Sequence, residues 1–435
     1  MRNPDQEGVE LLSMQKLIGT ALGKTIGQVT KIRGSGGQAL PGLFVEKIFP
    51  KYPSKMLAQL PEGVVIITGT NGKTTTTKMV VDMLRSAGKK VLTNKTGSNL
   101  TRGIISSLVH NARLSGRLDY DIAIFELDEA FARLFVKNVP TRWVLALNVT
   151  RDQLDRFGEV DTTAAMIAET MACAHQGIIV NANDPRLLPA AESISKKNSA
   201  VLKTFGLSKE LEQFFPTENE LVAVEIKSSS YSNSSDVILV KFNGQTVTYK
   251  IDGKEYSAEL KLSGQHNFQN AAAAIALSSV ILPGLSATEL LTMLSQVEPA
   301  FGRGEIFNLG EGNTMRLVLV KNPAGFRQAL ASYPPNGATV MIAINDNIAD
   351  SRDVSWLWDV DFTSLQEQNI KIVSGKRAAD MALRLSYDSV SVGKIEPSLR
   401  GALDEFTKLS GSKLLFTTYT AMLWLHKELK KGAKL

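Results

Sequence analysis

Apolar and polar positions alternate between two periods along this chain. From Gly63 to Asn183, short apolar runs fall at Val64 to Ile67, Val91 to Thr93, Ile122 to Phe125, Trp143 to Leu147 and Ile178 to Val180. The segments between them carry apolar residues three and four apart, the period of an amphipathic helix, whereas the short runs have the length of buried strands. This alternation predicts an α/β fold with a mainly parallel sheet and helices on both faces. Near residue 220 the pattern changes. Val237 to Phe242, Gln245 to Ile251 and Lys254 to Leu262 are strand-like, and Asn243-Gly244 and Asp252-Gly253 favour hairpin turns. They predict an antiparallel β flank or insert within 220–262. After Phe301-Gly302-Arg303 a second α/β alternation begins, with strands expected at Arg316 to Val320, Val340 to Ile344, Lys371 to Val373 and Leu414 to Phe416. Residues 1–55 predict a helical lead-in, broken by Pro41, Pro50 and Pro53, whose buried side holds Leu11, Leu12, Leu17, Ile18 and Leu22. The expected division is that lead-in, a central domain over 56–298 and a C-terminal α/β domain over 299–435.

Composition narrows the class. At 435 residues the chain exceeds one ordinary core, and 43% hydrophobic with 21% charged residues describes a globular protein. No apolar run approaches the roughly 18 residues of a membrane span. The N-terminus lacks the charged start, apolar block and small-residue site of a secretory signal, so a cytoplasmic protein is expected. The single Cys173 excludes an intrachain disulfide and a cysteine-cluster zinc site, and its apolar helical surroundings predict a small core residue. A net charge of +6 favours anionic ligands, but it is dispersed, without basic blocks interleaved with aromatics, so nucleic acid is not indicated.

Chemistry enters at the end of the first apolar run, which leads into Gly69-Thr70-Asn71-Gly72-Lys73-Thr74-Thr75 and then into a helix with Met79, Val80, Met83 and Leu84 on one side. Glycines let successive backbone N–H groups converge on phosphate oxygens. The helix N-terminus adds positive potential, Lys73 brings a mobile charge, and the Thr74 hydroxyl suits Mg²⁺. ATP with Mg²⁺ is the predicted ligand. The general pattern has a glycine where this chain has Ile67, and a second Gly23-Lys24-Thr25 has no apolar strand ahead of it and reads as a chance match. Glu126 ends the strand Ile122 to Phe125, which puts a carboxylate at the sheet edge as either a Mg²⁺ ligand or a solvated acid. Arg151, Asp152, Asp155 and Arg156 crowd the segment Asn148 to Gly158, as a salt-bridged helix start or as part of a site. His266, Asn267 and Asn270 open an alanine-rich helix, where they are either caps or contacts to a nucleotide, since an amide both donates and accepts. Arg303 stands at the expected domain junction, facing solvent or reaching a γ-phosphate when the domains close.

In this order the clusters resemble the Mur ligase family. The phosphate loop, including its missing first glycine, is similar to that family's, and the likeness extends through Asn181-Ala182-Asn183-Asp184-Pro185, His266-Asn267 with Asn270, and Arg303. Within the family, Thr96 to Gly103, Arg151 to Gly158, Lys321-Asn322-Pro323-Ala324-Gly325 and Asn345 to Trp356 resemble the MurT-type subunits. Typical Mur ligases carry a histidine where this chain has Gln153, a glutamine that MurT-type proteins share. Many MurT-type proteins also carry a four-cysteine zinc ribbon. This chain has one cysteine, so no zinc is expected.

The resemblance implies an ATP-dependent amide ligase that phosphorylates the α-carboxylate of D-glutamate in the lipid II stem peptide and lets ammonia displace the phosphate, giving D-isoglutamine. It implies catalytic roles for Lys73, Glu126 and Arg303, Mg²⁺ on Thr74 and Glu126, and nucleotide contacts from Gly69 to Thr75, His266, Asn267, Asn270 and Arg303. Ammonia would come from a GatD-type glutamine amidotransferase subunit, since Cys173 is no credible glutaminase nucleophile. Asp353 would orient that partner's catalytic histidine, with Asp346, Asp350 and Asp359 as competing candidates and a helix cap as its plain role. Lipid II would place the chain at the inner face of the cell membrane. A ligase adding an amino acid to a UDP-linked precursor, and a non-catalytic ATP-binding scaffold for a glutaminase, are the alternatives.

Overall fold

Residues 16–28, 40–94, 101–150, 160–215, 235–299, 303–350, 352–368 and 370–432 are described by a computed structural model, apart from the side chains of Gln213, Phe214 and Arg303. Among them, nine strands form one sheet: β1 Val64–Thr68, β2 Val91–Thr93, β3 Ile122–Glu126, β4 Thr141–Ala146, β5 Ala174–Asn181, β6 Val201–Leu207, β7 Val237–Asn243, β8 Thr246–Ile251 and β9 Lys254–Glu259. Their order is β2-β3-β1-β4-β5-β6-β7-β8-β9. The chain moves outward from β1 to β2, returns through β3 and crosses to β4, so the order reverses around β1. In open parallel sheets ligands bind at that reversal, beyond the strand C-termini. Glu126 lies level with Ile67, just before the glycine-rich loop.

Both faces of β1 are covered, as its unbroken apolar run requires. Val65 and Ile67 pack with the helices Lys73–Ser86, Gln265–Ile281 and Ala287–Ser295, while Val64 and Ile66 share the opposite core with Leu40–Ile48, Thr101–Asn111 and Val160–Ala172. The alanines between Ala271 and Ala276 let the middle of the long helix sit fully buried against the sheet. The hairpin region is not a separate insert. β7 pairs parallel to β6, Phe205 opposite Val237, and only β8 and β9 run antiparallel, so the flank continues the central sheet.

The lead-in packs differently from expectation. In the helix spanning 16–28, Leu17 and Ile18 are exposed and Leu22 is half-buried, whereas Gly19, Thr20 and Gly23 face inward. A Cβ at Gly19 would lie 2.8 Å from the Tyr52 ring, and one at Gly23 would lie 2.7 Å from Val109. Close approach of small residues, rather than leucine burial, seats this helix. Leu11 and Leu12 lie outside the described residues.

The second sheet comprises β10 Arg303–Gly310, β11 Asn313–Leu319, β12 Thr339–Ala343, β13 Ile370–Ser374, β14 Val392–Glu396 and β15 Ser412–Thr417, in the order β10-β11-β15-β12-β13-β14. β10 and β14 have no counterpart in the apolar pattern. Both are edge strands; β14 is mostly solvent-facing and β10 opens on Arg-Gly-Glu, so neither presents an apolar run.

Candidate active site

The loop after β1 is shaped by two glycines with left-handed backbone, Gly69 at φ 127° and Gly72 at φ 89°. At Gly72 a Cβ would sit 2.3 Å from Asn270 Oδ1, so the loop lies directly against the start of the buried helix. The end of β4 braces it from the other side. Thr70 N donates to the Asn148 carbonyl (2.9 Å), Asn71 N to Asn148 Oδ1 (2.9 Å), and Asn71 Nδ2 to Thr150 Oγ1 (2.9 Å). Asp184 in turn accepts from Val149 N at 2.8 Å, which gives the Asn-Ala-Asn-Asp-Pro segment a structural purpose. Residues 151–159, with the Arg-Asp-Gln-Leu-Asp-Arg cluster, lie outside the described residues. Gly72 is the N-cap of Lys73–Ser86, so that helix directs its free N–H groups at the loop.

Lys73 folds back over this loop, its Nζ donating to the carbonyls of Gly69 and Thr70 and standing 3.6 Å from Glu129 Oε1. A lysine held against its own carbonyls is a charge ready to be drawn out by phosphate. Thr74 follows at the helix start, half-buried. Glu126 is 3% exposed, and its backbone is clamped by Asn94, which donates to its carbonyl and accepts from its N–H. Its Oε2 is buried without a hydrogen-bond partner. A buried, unsatisfied carboxylate oxygen at a strand end is costly unless a cation completes it, so the residue fits a divalent ion.

Two more acids stand one turn on. Asp128 and Glu129 are both buried, and Asp128 Oδ1 also has no partner. Burial pushes the Asp128 carboxyl up to about 6, against the pull of Lys73 and with help from the neighbouring Glu129 charge. Burial is also the largest influence on Glu129 and acts in the same direction, but the Lys73 ammonium, a backbone hydrogen bond, Lys321 and the contact with Asp128 together outweigh it and keep that carboxyl below its usual range. Asp128 binds its proton more tightly folded than unfolded. Its stabilising contribution is therefore present at low pH and lost as pH rises through about 6. Asp128→Asn is expected to gain in melting temperature relative to the native chain between about pH 4 and pH 7; parallel scans check this, and an unchanged difference would contradict it.

The C-terminal domain closes the cleft. Lys321 Nζ donates to the Thr70 carbonyl at 3.1 Å. Asn322 caps the helix Pro323–Ser332, accepting from Gly325 N, and donates to Asn71 Oδ1 at 3.1 Å. His266 and Asn270 line the cleft between the two sheets with Lys321 and Tyr333, and His266 Nδ1 lies 3.0 Å from Ser332 Oγ. Asn267 is buried, with Nδ2 donating to the Ser263 carbonyl at 2.7 Å and Oδ1 without a partner among the described residues. Arg303 begins β10 opposite Val318, and its side chain lies outside the described structure. Arg316 fills the junction instead, donating to Ser263 Oγ and the Gly304 carbonyl, both at 3.2 Å, with its guanidinium 5.2 Å from the Tyr333 ring centre.

Asp353 is exposed and keeps its described bond local, Oδ1 accepting from Ser355 N at 2.8 Å, just ahead of the short helix Ser355–Asp359, whose N-cap is Val354. Its rivals separate. Asp350 is buried and committed to Asn347 N and to the backbone and hydroxyl of Thr420, and Asp346 is paired to Arg377 at 2.8 Å. Asp359 is exposed in the same turn. Trp356 packs on Phe326, whereas Trp358 stands exposed beside Tyr387. Sequence reading gave no role to Asp128, Glu129, Lys321, Asn322 or Arg316. The run Glu126-Leu127-Asp128-Glu129 and the Lys-Asn-Pro after an apolar strand were the signals available.

The family model of the Mur ligase middle domain matches residues 67–278, and that of the MurT ligase C-terminal domain matches 319–422. The chain is 28% identical over 426 residues to the lipid II isoglutaminyl synthase (glutamine-hydrolyzing) subunit MurT of Streptococcus pneumoniae, spanning 89% of this chain and 91% of the relative. It is 27% identical over 433 residues to the protein of the same name from Staphylococcus aureus strain COL, spanning 94% and 97%. Among solved structures, MurF from Acinetobacter baumannii superposes with a TM-score of 0.66 at 20% identity over 89% of this chain and 80% of that one. MurF ligase from Thermotoga maritima in complex with ADP gives 0.65 at 15% identity over 90% and 84%. With a nine-stranded sheet carrying the phosphate loop and a second sheet closing over it, the chain belongs to the Mur ligase family, in the branch with a MurT-type C-terminal domain.

Proposed function

We propose that this chain is the synthetase subunit of a lipid II isoglutaminyl synthase, an ATP-dependent ligase that converts the α-carboxylate of D-glutamate in the stem peptide to a carboxamide. The observation that carries this reading is that the likeness to the two MurT subunits runs almost end to end through both domains. A substrate carboxylate oxygen attacks the γ-phosphorus of ATP and ADP leaves, giving an acyl phosphate. Ammonia then attacks the acyl carbon, loses a proton and expels phosphate. Magnesium, held by Thr74 and Glu126, would offset charge on the nucleotide phosphates.

The protein's own groups perform the rest. The Gly69 to Thr75 loop and the N-terminus of Lys73–Ser86 cradle phosphate oxygens, and Lys73 moves from its loop carbonyls onto the transferring group. Lys321 brings a second positive charge to the same loop from the other domain, so the full set of cations assembles only when the domains meet. Arg303 is assigned the γ-phosphate, and His266 and Asn270 the nucleotide. The ADP named with the Thermotoga MurF supports a nucleotide in the corresponding fold.

Ammonia is mostly protonated at neutral pH, so a second, glutamine-hydrolysing subunit of the GatD type would supply it. Cys173 packs against the first sheet's core, which does not suit a glutaminase nucleophile. Among the described residues no helix is long and apolar enough to cross a membrane. The test is ADP release with lipid II and glutamine, with and without the glutaminase. The expected result is turnover requiring lipid II and a nitrogen source; turnover driven instead by a free amino acid and a UDP-linked precursor would overturn the reading.

A further inference from the structure

The N-terminal helical layer leaves an apolar surface that the ligase chemistry does not use. The helix spanning 16–28 turns Gly19, Gly23 and Gly27 toward Tyr52, Val109 and Pro41, so its opposite side, with Leu17 and Ile18, faces out. In Leu40–Ile48 the exposed positions Leu40, Phe44 and Ile48 recur every fourth residue and form a stripe, with Phe44 48% and Ile48 54% exposed. Lys16, Ile48, Pro50, Lys51 and Lys55 line one shallow cleft, which joins the ends of the two helices. The loop carrying Arg113, Leu114 and Arg117 adjoins it, since a Cβ on Gly116 would meet Lys16, and Leu114 is 69% exposed.

Among the described residues, cations outnumber acids around this surface. Lys16, Lys24, Lys47, Lys51, Lys55, Arg113 and Arg117 belong to this layer, and the nearby acids are engaged: Glu46 with Arg102, and Asp119 with Lys90 and Arg113. Exposed leucine, isoleucine and phenylalanine interleaved with cations, on helices too short to span a bilayer, form the pattern of a surface that lies in a lipid interface. A protein partner would be expected to meet a more enclosed apolar centre with fewer lysines.

We infer that this helical layer is a docking surface for an anionic bilayer, with Leu17, Ile18, Phe44, Ile48 and Leu114 entering the interface while the lysines and arginines meet lipid phosphates. The inference goes beyond the ligase reading and stands on the surface alone.

Co-sedimentation of the full chain with vesicles tests it, using phosphatidylcholine vesicles with and without phosphatidylglycerol and no peptidoglycan precursor. The native chain is expected to partition onto the anionic vesicles and to release as salt rises. Phe44→Ser with Ile48→Ser, and separately Lys47→Glu with Lys51→Glu, are each expected to weaken partition by about tenfold or more at unchanged melting temperature. Absence of partition, or partition indifferent to both variants and to lipid charge, would overturn the inference. So would a loss of self-association in the serine variant without any vesicle binding, which would assign the patch to a second copy of the chain. Amidation of detergent-dispersed substrate by the serine variant should match the native chain, so failure of the vesicle test and failure of the ligase reading are told apart.

Discussion

Lys73→Ala is expected to lower ATP-dependent amidation by at least about 100-fold, the usual cost of losing a charged contact made to the transition state. In the structure its ammonium rests on the Gly69 and Thr70 carbonyls and 3.6 Å from Glu129, at the helix N-terminus where phosphate oxygens would gather. Neither Lys321 nor the helix dipole can substitute, since Lys321 comes from the opposite wall and the dipole is fixed. The variant also removes the strongest of the interactions that help keep Glu129 ionised while buried, so a modest fall in melting temperature is expected near neutral pH that shrinks on acidification. Steady-state turnover and scans at two pH values check both parts. More than about a tenth of native turnover would remove Lys73 from phosphoryl transfer.

Asp353→Asn is expected to separate the two nitrogen sources. Glutamine-driven amidation in the two-subunit complex should collapse, while amidation with added ammonium should stay near the native level. The carboxylate that holds a catalytic imidazole in its working tautomer is worth about 10⁴ in a serine protease, and an amide of the same size cannot replace it. Asp353 is suited to such a role because it is exposed and bonded only within its own turn in the described structure, so a carboxylate oxygen remains open to another subunit. Asp350 is unsuited, since its oxygens are spent on Asn347 and Thr420 inside the domain, and Asp346 is tied to Arg377. Equal loss with both nitrogen sources would return Asp353 to the synthetase site or the fold. No loss with either would move the role to Asp359, which is exposed in the same turn.

The pattern of the chain disclosed most of the two sheets because their strands are buried on both faces. β1 to β5 and β11, β12, β13 and β15 each present an apolar run that a solvent-facing strand lacks. β10 and β14 escaped for the converse reason, as edges with polar positions. The hairpins were legible from their turns, but their attachment was not, because parallel pairing of β7 with β6 bridges residues 216–234, which the structure does not describe. Leu17 and Ile18 mislead because amphipathicity reports where apolar residues lie, not which side is covered; Gly19 and Gly23 made the closer contact.

At the site, the glycine-rich loop was legible from a local signal, a strand, a loop and a helix in sequence. Asn148, Lys321 and Asn322 were not, because their meaning comes from contacts with Asn71 and Thr70 across 77 to 251 residues of chain. Asn267, beside His266, is buried, with Nδ2 bonded back four residues to Ser263 and Oδ1 without a partner among the described residues, an arrangement its place in the sequence did not disclose.

The most direct test of the central claim is where the nitrogen goes. Lipid II is incubated with ATP, the chain, its glutaminase subunit and glutamine labelled isotopically in the side-chain amide, and the stem peptide is sequenced by fragmentation mass spectrometry. The account predicts the label in the α-carboxamide of the second residue, with one ADP formed per amide and no label transferred when ATP is omitted. Label at any other position, or amidation without ADP formation, would contradict it.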